Sequence, residues 1–316
     1  MVDDQFLARP QSGFSSASVV WQAPAEGGIP RYMMLFQEGD PKSVGPVRSA
    51  RLYFISWAGE WRAVYVHAGG SPQALRLLRG AQGRGRVVYN ADDFKYEGRF
   101  LFRTRPRVAP HNLYTDGSHL RGLARAVGAK PRVVASSWQF APDVPVAARP
   151  TGGQIVVPYQ ENRIVYRYDR ASNRYLRSVT NESRQIDAAT KARVGPKNVV
   201  VMYVRFAPLR DGTTKGRLEA RVTGSGKALI STNGKTVVGT WRKASFAAPT
   251  LLFGRDGSPV TLTAGQTFVQ VVPVGTKVSV HDGKPAAATA SPTPAPTASP
   301  TPAPTGFDRS VSAAAI

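Results

Sequence analysis

The sequence predicts a chain in three parts. An N-terminal domain of α+β or α/β type, with a mixed sheet and helices, precedes an all-β domain of barrel or sandwich type, and a Pro/Thr/Ala tail follows. Three observations carry this. Strand-like and helix-like stretches alternate as far as Val127. From Trp138 onward only short strand-like runs follow, punctuated by Asp211-Gly212, Asn233-Gly234 and Asp256-Gly257. Residues 284–305 are almost entirely Ala, Pro, Thr and Ser, which cannot bury a core and should stay extended. The expected boundaries are 1–147, 148–275 and 276–316, with Val144 to Gly153 as the linker.

In chain order, strands are expected over 18–23 and 29–37, joined by a turn on Gly27-Gly28, with Glu26 at its lip and Arg31 just beyond. Pro46 should open a helix over Arg48–Gly59, placing Arg48 and Arg51 on one face. Ala63 to Val66 reads as a strand ending at His67, and Gly69-Gly70 as a tight turn. Ser71 then reads as an N-cap with Pro72 at the first helical position. Such a corner aims unpaired N–H groups at one point, where an anion is welcome. Phe100 to Thr104 should be a strand feeding a loop that holds Arg105, His111, Asn112 and Tyr114, and Ser118 should cap a helix over 120–127. In the second domain, Asn233-Gly234 between two β-type runs is the most specific hairpin signal.

Composition narrows the chemistry. The chain has 316 residues and no cysteine, so disulfides, thiolate nucleophiles and Cys-type zinc sites are excluded. No apolar run approaches a bilayer span, and the opening Met1-Val-Asp-Asp-Gln has neither a basic nor an apolar leader region. The net charge is +22, and residues 148–275 carry 20 basic against 7 acidic side chains. That field would attract nucleic acid, anionic headgroups or phosphate-bearing polymers, although a solvated basic surface explains it as well. Tyr166 and Tyr168 alternate with Arg167 as an oligonucleotide-binding strand would need, but cross-strand packing explains the pattern more cheaply.

His67, His111 and Glu26 are the candidate acid–base residues, and Ser71 reads first as a cap. The motifs of metallohydrolases and of the esterase elbow are missing, so no metal or cofactor is expected. The preferred reading is therefore a binding pocket without turnover. Arg48, Arg51 and Arg105 would supply charge, Gly69, Gly70 and Ser71 backbone N–H groups, and Glu26, Arg31, Ser49, His67, His111, Asn112 and Tyr114 the rest of the wall. The alternatives are a hydrolase or transferase acting on an envelope polymer, and a polyanion or nucleic-acid binder using the basic second domain.

Several segments together resemble the YerB-like lipoprotein family of bacteria. They include Arg9-Pro-Gln-Ser-Gly13, Glu26-Gly-Gly with Arg31, Gly45-Pro-Val-Arg-Ser-Ala-Arg51, His67-Ala-Gly-Gly-Ser71 and Pro110-His-Asn-Leu-Tyr114. Tyr168-Asp169, Asn198-Val-Val-Val201, Gly239-Thr-Trp241 and Pro273 extend the likeness to about residue 275. The resemblance implies a two-domain protein, exported and often lipid-anchored at the cell surface; joined to the pocket read above, the expected partner is an anionic envelope ligand or an envelope protein. It brings no catalytic residues. Members usually begin with a signal peptide, a lipidated cysteine and more of a first strand, whereas Met1 here falls within that strand.

Overall fold

Alternation of apolar residues decides how this chain is layered. The computed structural model describes residues 1–105, 107–131 and 137–285. The N-terminal part supplies strands β1 (Val2–Asp3), β2 (Val19–Pro24) and β3 (Pro30–Leu35), then helix α1 (Leu52–Gly59) and strand β4 (Val64–His67). Helix α2 (Pro72–Arg79), strand β5 (Tyr89–Asp92), the single turn α3 (Asp93–Tyr96) and helix α4 (Gly117–Ala126) complete it. The C-terminal part adds β6 (Gln154–Pro158), β7 (Arg163–Asp169), β8 (Arg174–Val179), β9 (Asn198–Val204) and β10 (Gly224–Thr232). It ends with β11 (Lys235–Lys243), β12 (Leu251–Phe253), β13 (Thr267–Pro273) and β14 (Ser279–His281).

One eight-stranded sheet runs through both parts in the order β1-β3-β2-β13-β9-β10-β11-β12. The junction is β2 beside β13, parallel, with Val20 opposite Phe268 and Gln22 opposite Gln270. A second sheet, β8-β7-β6-β14, is wholly antiparallel. The period of two sends alternate residues of the large sheet to different cores. Trp21, Met33, Val200, Met202, Val269 and Val271 face one cluster together with α1. Val20, Tyr32, Val199, Val201, Phe268 and Val272 face the second sheet's Ile155, Ile164, Tyr166 and Tyr175. The large sheet is thus covered on both faces, which is why β9 reads as an unbroken valine run.

α1 is apolar all round, and its residues Tyr53 to Gly59 are all buried. Trp57 stacks on Trp21 at 4.8 Å between ring centroids and 14° between planes, with both rings fully buried. The Asn233-Gly234 turn has positive φ at both residues (50° and 73°) and closes the β10–β11 hairpin as its residue types require. At Gly239 a Cβ would stand 1.9 Å from the Phe253 carbonyl oxygen, so the β11–β12 approach admits only glycine.

A buried polar layer ties the start of the chain to the second sheet. Asp4 is fully buried and accepts from Gln22 at 2.6 Å and from Asn162 at 3.0 Å. Arg177, also fully buried, donates to Gln22 at 2.7 Å and to the Tyr166 hydroxyl at 3.1 Å. Burial pushes the Asp4 carboxyl up to about 6, against the pull of Arg177 and Arg9. Gly13 and Ser15 donate their N–H groups to Asp187, and Ala188 donates to the Gln11 carbonyl. The Arg-Pro-Gln-Ser-Gly segment is therefore a seam between the two parts of the chain.

Several expectations need correction. The second part forms no closed barrel; its strands are shared between an open mixed sheet and a smaller antiparallel one. Helix α1 starts at Leu52, and Val47 and Ala50 are bridged to Val2 and Gly70, so Arg48 is extended and shares no helical face with Arg51. Asp116, not Ser118, caps α4 by accepting from the His119 N–H at 3.0 Å. β14 falls inside the segment expected as tail and pairs with β6. Tyr166 and Tyr168 turn inward and are buried, so they offer no stacking platform. The Pro/Thr/Ala stretch, apart from its first two residues, lies outside the described residues.

Candidate functional site

The charged centre of the N-terminal part follows from strand parity. Asp3 and Arg31 sit opposite each other across β1 and β3, on the face turned toward α1. Glu26 stands at the β2–β3 turn, which closes because Gly27 and Gly28 take positive φ (63° and 72°). Arg51 is the residue before α1; its guanidinium folds back so that Nη1 donates to the Ala50 carbonyl at 2.6 Å and Nε to Glu26 at 2.9 Å. Arg31 donates through Nη1 to the Ser49 carbonyl at 3.0 Å, with Nη2 3.7 Å from Glu26. Arg48 reaches Asp3 at 3.0 Å, and His111 reaches the same carboxylate oxygen at 2.9 Å.

A fourth arginine comes from the other part of the chain. Arg217 lies with Nε 3.7 Å from Glu26 and Nη1 2.6 Å from Asp211. The network therefore holds four guanidiniums (Arg31, Arg48, Arg51, Arg217) against three carboxylates (Asp3, Glu26, Asp211). Arg31 is at its middle, and its buried Nε has no hydrogen-bond partner among the described residues. Burial and then the neighbouring Arg51 bring Arg31 down to about 10, while Glu26 works the other way. Burial alone would raise Glu26, but the hydrogen bonds and charge of Arg51, with the charge of Arg31, outweigh it and leave the carboxyl below its usual range. Near neutral pH, Arg31 and Glu26 are accordingly both ionised.

The remaining expected residues do not join this centre. His67 is fully buried, with Nδ1 2.7 Å from the Gly69 carbonyl and Nε2 2.7 Å from the Asn90 side chain. Burial lowers its pKa against the pull of Asn90, Asp92 and the Gly69 carbonyl, so it is a neutral packing residue and not an accessible acid or base. The glycine corner is satisfied from within: Gly69 N–H donates to Asp92 at 3.1 Å and Ser71 N–H to the Ala50 carbonyl at 3.1 Å. Ser71 caps α2, accepting from Ala74 N–H. The expected anion corner is thus filled by Asp92 and the Ala50 backbone. Arg105 is exposed and makes none of these contacts; Asn112 accepts from Arg103 at 3.0 Å, and Tyr114 is buried beside Gly45.

Sequence reasoning missed Arg217, Asp211 and Asp3. Arg217 is far from the N-terminal motifs and belongs to none of them; it adjoins a separate two-stranded hairpin, Phe206–Pro208 with Leu218–Ala220, whose packing brings it near Glu26. A cleft of about 620 Å³ opens alongside, walled by Ala25, Gly27 and Gly28 on one side and by Gly216 and Leu218 on the other, with Lys277 also lining it. The segments carrying Glu26 and Arg217 therefore wall one concavity. Among the described residues there is no cluster of three or more potential metal ligands, and no helix is long and apolar enough to cross a membrane.

Comparison with known proteins accords with this layout. The N-terminal domain of the family described as "Protein of unknown function (DUF3048)" matches residues 1–130, and the family's C-terminal domain matches residues 155–269. This is a two-domain protein, mostly β with few helices, whose two domains share a sheet. Over 291 residues it is 28% identical to the Bacillus subtilis (strain 168) protein described as "Putative lipoprotein YerB", covering 90% of this chain and 83% of that one. The crystal structure of YerB from Bacillus subtilis superposes with a TM-score of 0.78 at 26% identity, covering 89% of this chain and 92% of that chain. The chain belongs to the YerB-like family.

Proposed function

We propose that this is a non-catalytic protein of the cell envelope that holds an anionic ligand, a carboxylate or phosphate group, at the guanidinium network around Arg31. The observation that carries the reading is the surplus arginine: among the described residues four guanidiniums face three carboxylates, and the buried Nε of Arg31 lacks a partner. An incoming anion would share these guanidiniums with Glu26, whose side chain keeps 18% of its surface exposed. Two or three charge-assisted hydrogen bonds of about 1.5–3 kcal/mol each would support micromolar binding. The envelope location rests on the relative described as a lipoprotein.

Differential scanning fluorimetry of the full chain, with inorganic phosphate and with soluble cell-wall peptide fragments, tests the proposal. A saturable rise in Tm is expected with at least one of them, corresponding to about 2.7 kcal/mol when ligand reaches a hundred times its Kd. Arg217→Ala removes the half-buried arm of the network and should abolish that rise. An unchanged rise in the variant, or none in the parent protein, would remove the proposal.

A further inference from the structure

The outer face of the β8-β7-β6-β14 sheet carries a second concentration of arginine. Parity along β7 turns Ile164, Tyr166 and Tyr168 into the core and leaves Arg163 and Arg167 exposed. In register with Arg167 is Leu176, two residues from the exposed Arg174 on the next strand. The segment after β8 lies against that strand through Gln185 and Val194, both bonded to the Arg177 backbone, and brings Arg184 and Arg193 to the same edge. Arg167 and Arg184 are near enough, together with burial, to lower the pKa of Arg193. Among the described residues none of Arg163, Arg167, Arg174, Arg184 and Arg193 lies within 4 Å of a carboxylate; all fourteen ion pairs are made elsewhere. The Nε of Arg193 is buried and has no hydrogen-bond partner among the described residues. Arg174 and Arg193 also wall a cleft of about 1070 Å³ that continues from this face.

Asp169, in register opposite Arg174, is a carboxylate of this same face and is taken up by the Ser172 N–H and hydroxyl. Like charges held together with so few counter-ions are costly for the isolated molecule, and a bound polyanion relieves that cost. We infer that this face docks a linear phosphodiester polymer lacking aromatic bases, separately from the Arg31 network. Charge complementarity selects the phosphates. The absence of bases follows from the side chains available: Val165 and Leu176 stand among the arginines and Val156 and Pro158 flank them on β6, while the tyrosines of β7 are buried. A single-stranded nucleic acid gains much of its affinity from a row of exposed rings, whereas the adjoining cleft offers, among the described residues, Phe140 at 41% exposure and a half-buried Trp61, with Phe14 and Trp138 buried.

The test is equilibrium binding of the full chain to fluorescently labelled poly(glycerol phosphate) over a salt series. Affinity should fall linearly in logarithmic terms with salt. The triple variant Arg167→Ala, Arg184→Ala, Arg193→Ala should bind at least about tenfold more weakly, with a salt slope shallower by about 2. A second triple variant, Arg76→Ala, Arg79→Ala, Arg125→Ala, removes three exposed arginines elsewhere and should leave affinity and slope near those of the parent protein. An equal loss in both variants would reduce the effect to the general field of a basic protein and overturn the inference. Tighter binding to an oligothymidylate or to anionic phosphatidylglycerol vesicles would likewise overturn it, in favour of nucleic acid or a membrane surface. An unchanged Tm in the first variant shows that the loss is one of binding. Arg217→Ala should leave this binding intact, so the two proposals fail independently.

Discussion

Glu60→Ala is expected to destabilise the protein by about 3–5 kcal/mol, because it leaves Lys243 as an uncompensated charge in the core. Glu60 follows α1 directly, and its carboxylate meets Lys243 of β11 at 2.8 Å, with side-chain exposures of 5% and 0%. The same carboxylate accepts from the Thr250 hydroxyl at 2.6 Å and its N–H at 3.0 Å, while Lys243 also donates to the Ala248 carbonyl. Burial raises Glu60 and lowers Lys243, each against the pull of its partner, so desolvation is the larger effect on both. Such a pair adds little net stability but becomes expensive when halved. The double variant Glu60→Gln, Lys243→Met keeps an acceptor for the Thr250 N–H and turns an NH2 donor toward the Thr250 hydroxyl oxygen without a buried charge, and should lose less than half as much. Urea midpoints with unchanged m values would measure both. A single variant within about 1 kcal/mol of the parent protein would show that water reaches this pair.

Trp57→Ala should also cost about 3–5 kcal/mol, for a different reason. The indole fills the space between α1 and β2, stacked on Trp21 and set edge-on to Tyr53 and Phe54, with no exposed surface. Trp57 is one of seven consecutive buried residues of α1, and Ser56 holds the helix to the Phe246 carbonyl, so the site has little freedom to collapse. Trp57→Phe retains a ring and should lose markedly less. It also removes an indole N–H that has no hydrogen-bond partner among the described residues. Equal losses for Phe and Ala would mean that the stack, and not filled volume, carries the energy.

Much of the strand and helix pattern was legible because it depends on local chemistry. Short β-type runs located β2, β3, β7 and β9, and Asn233-Gly234 fixed its hairpin through backbone preferences read from two residues. The Ser71-Pro72 start of α2 was equally local. What could not be read was pairing between distant segments. No local signal says that β2 lies beside β13, so the two domains read as separate layers instead of one sheet. The same blindness displaced the candidate site. Spacing put Arg48 and Arg51 on a helix that begins after both, and the glycine corner appeared open because its partner Asp92 lies 23 residues further on. Glu26, Arg31 and Arg51 were identifiable from their motifs, whereas Arg217 and Asp211 depend on the packing of a separate hairpin.

The proposed site requires that the guanidiniums around Glu26 have charge to spare for one more anion. Crystals soaked in tungstate test this directly through the anomalous signal of the metal. The account predicts a peak within hydrogen-bond reach of at least two of Arg31, Arg51 and Arg217, absent from crystals of Arg217→Ala. Peaks confined to Arg167, Arg184 and Arg193, with the Glu26 network unchanged, would contradict it.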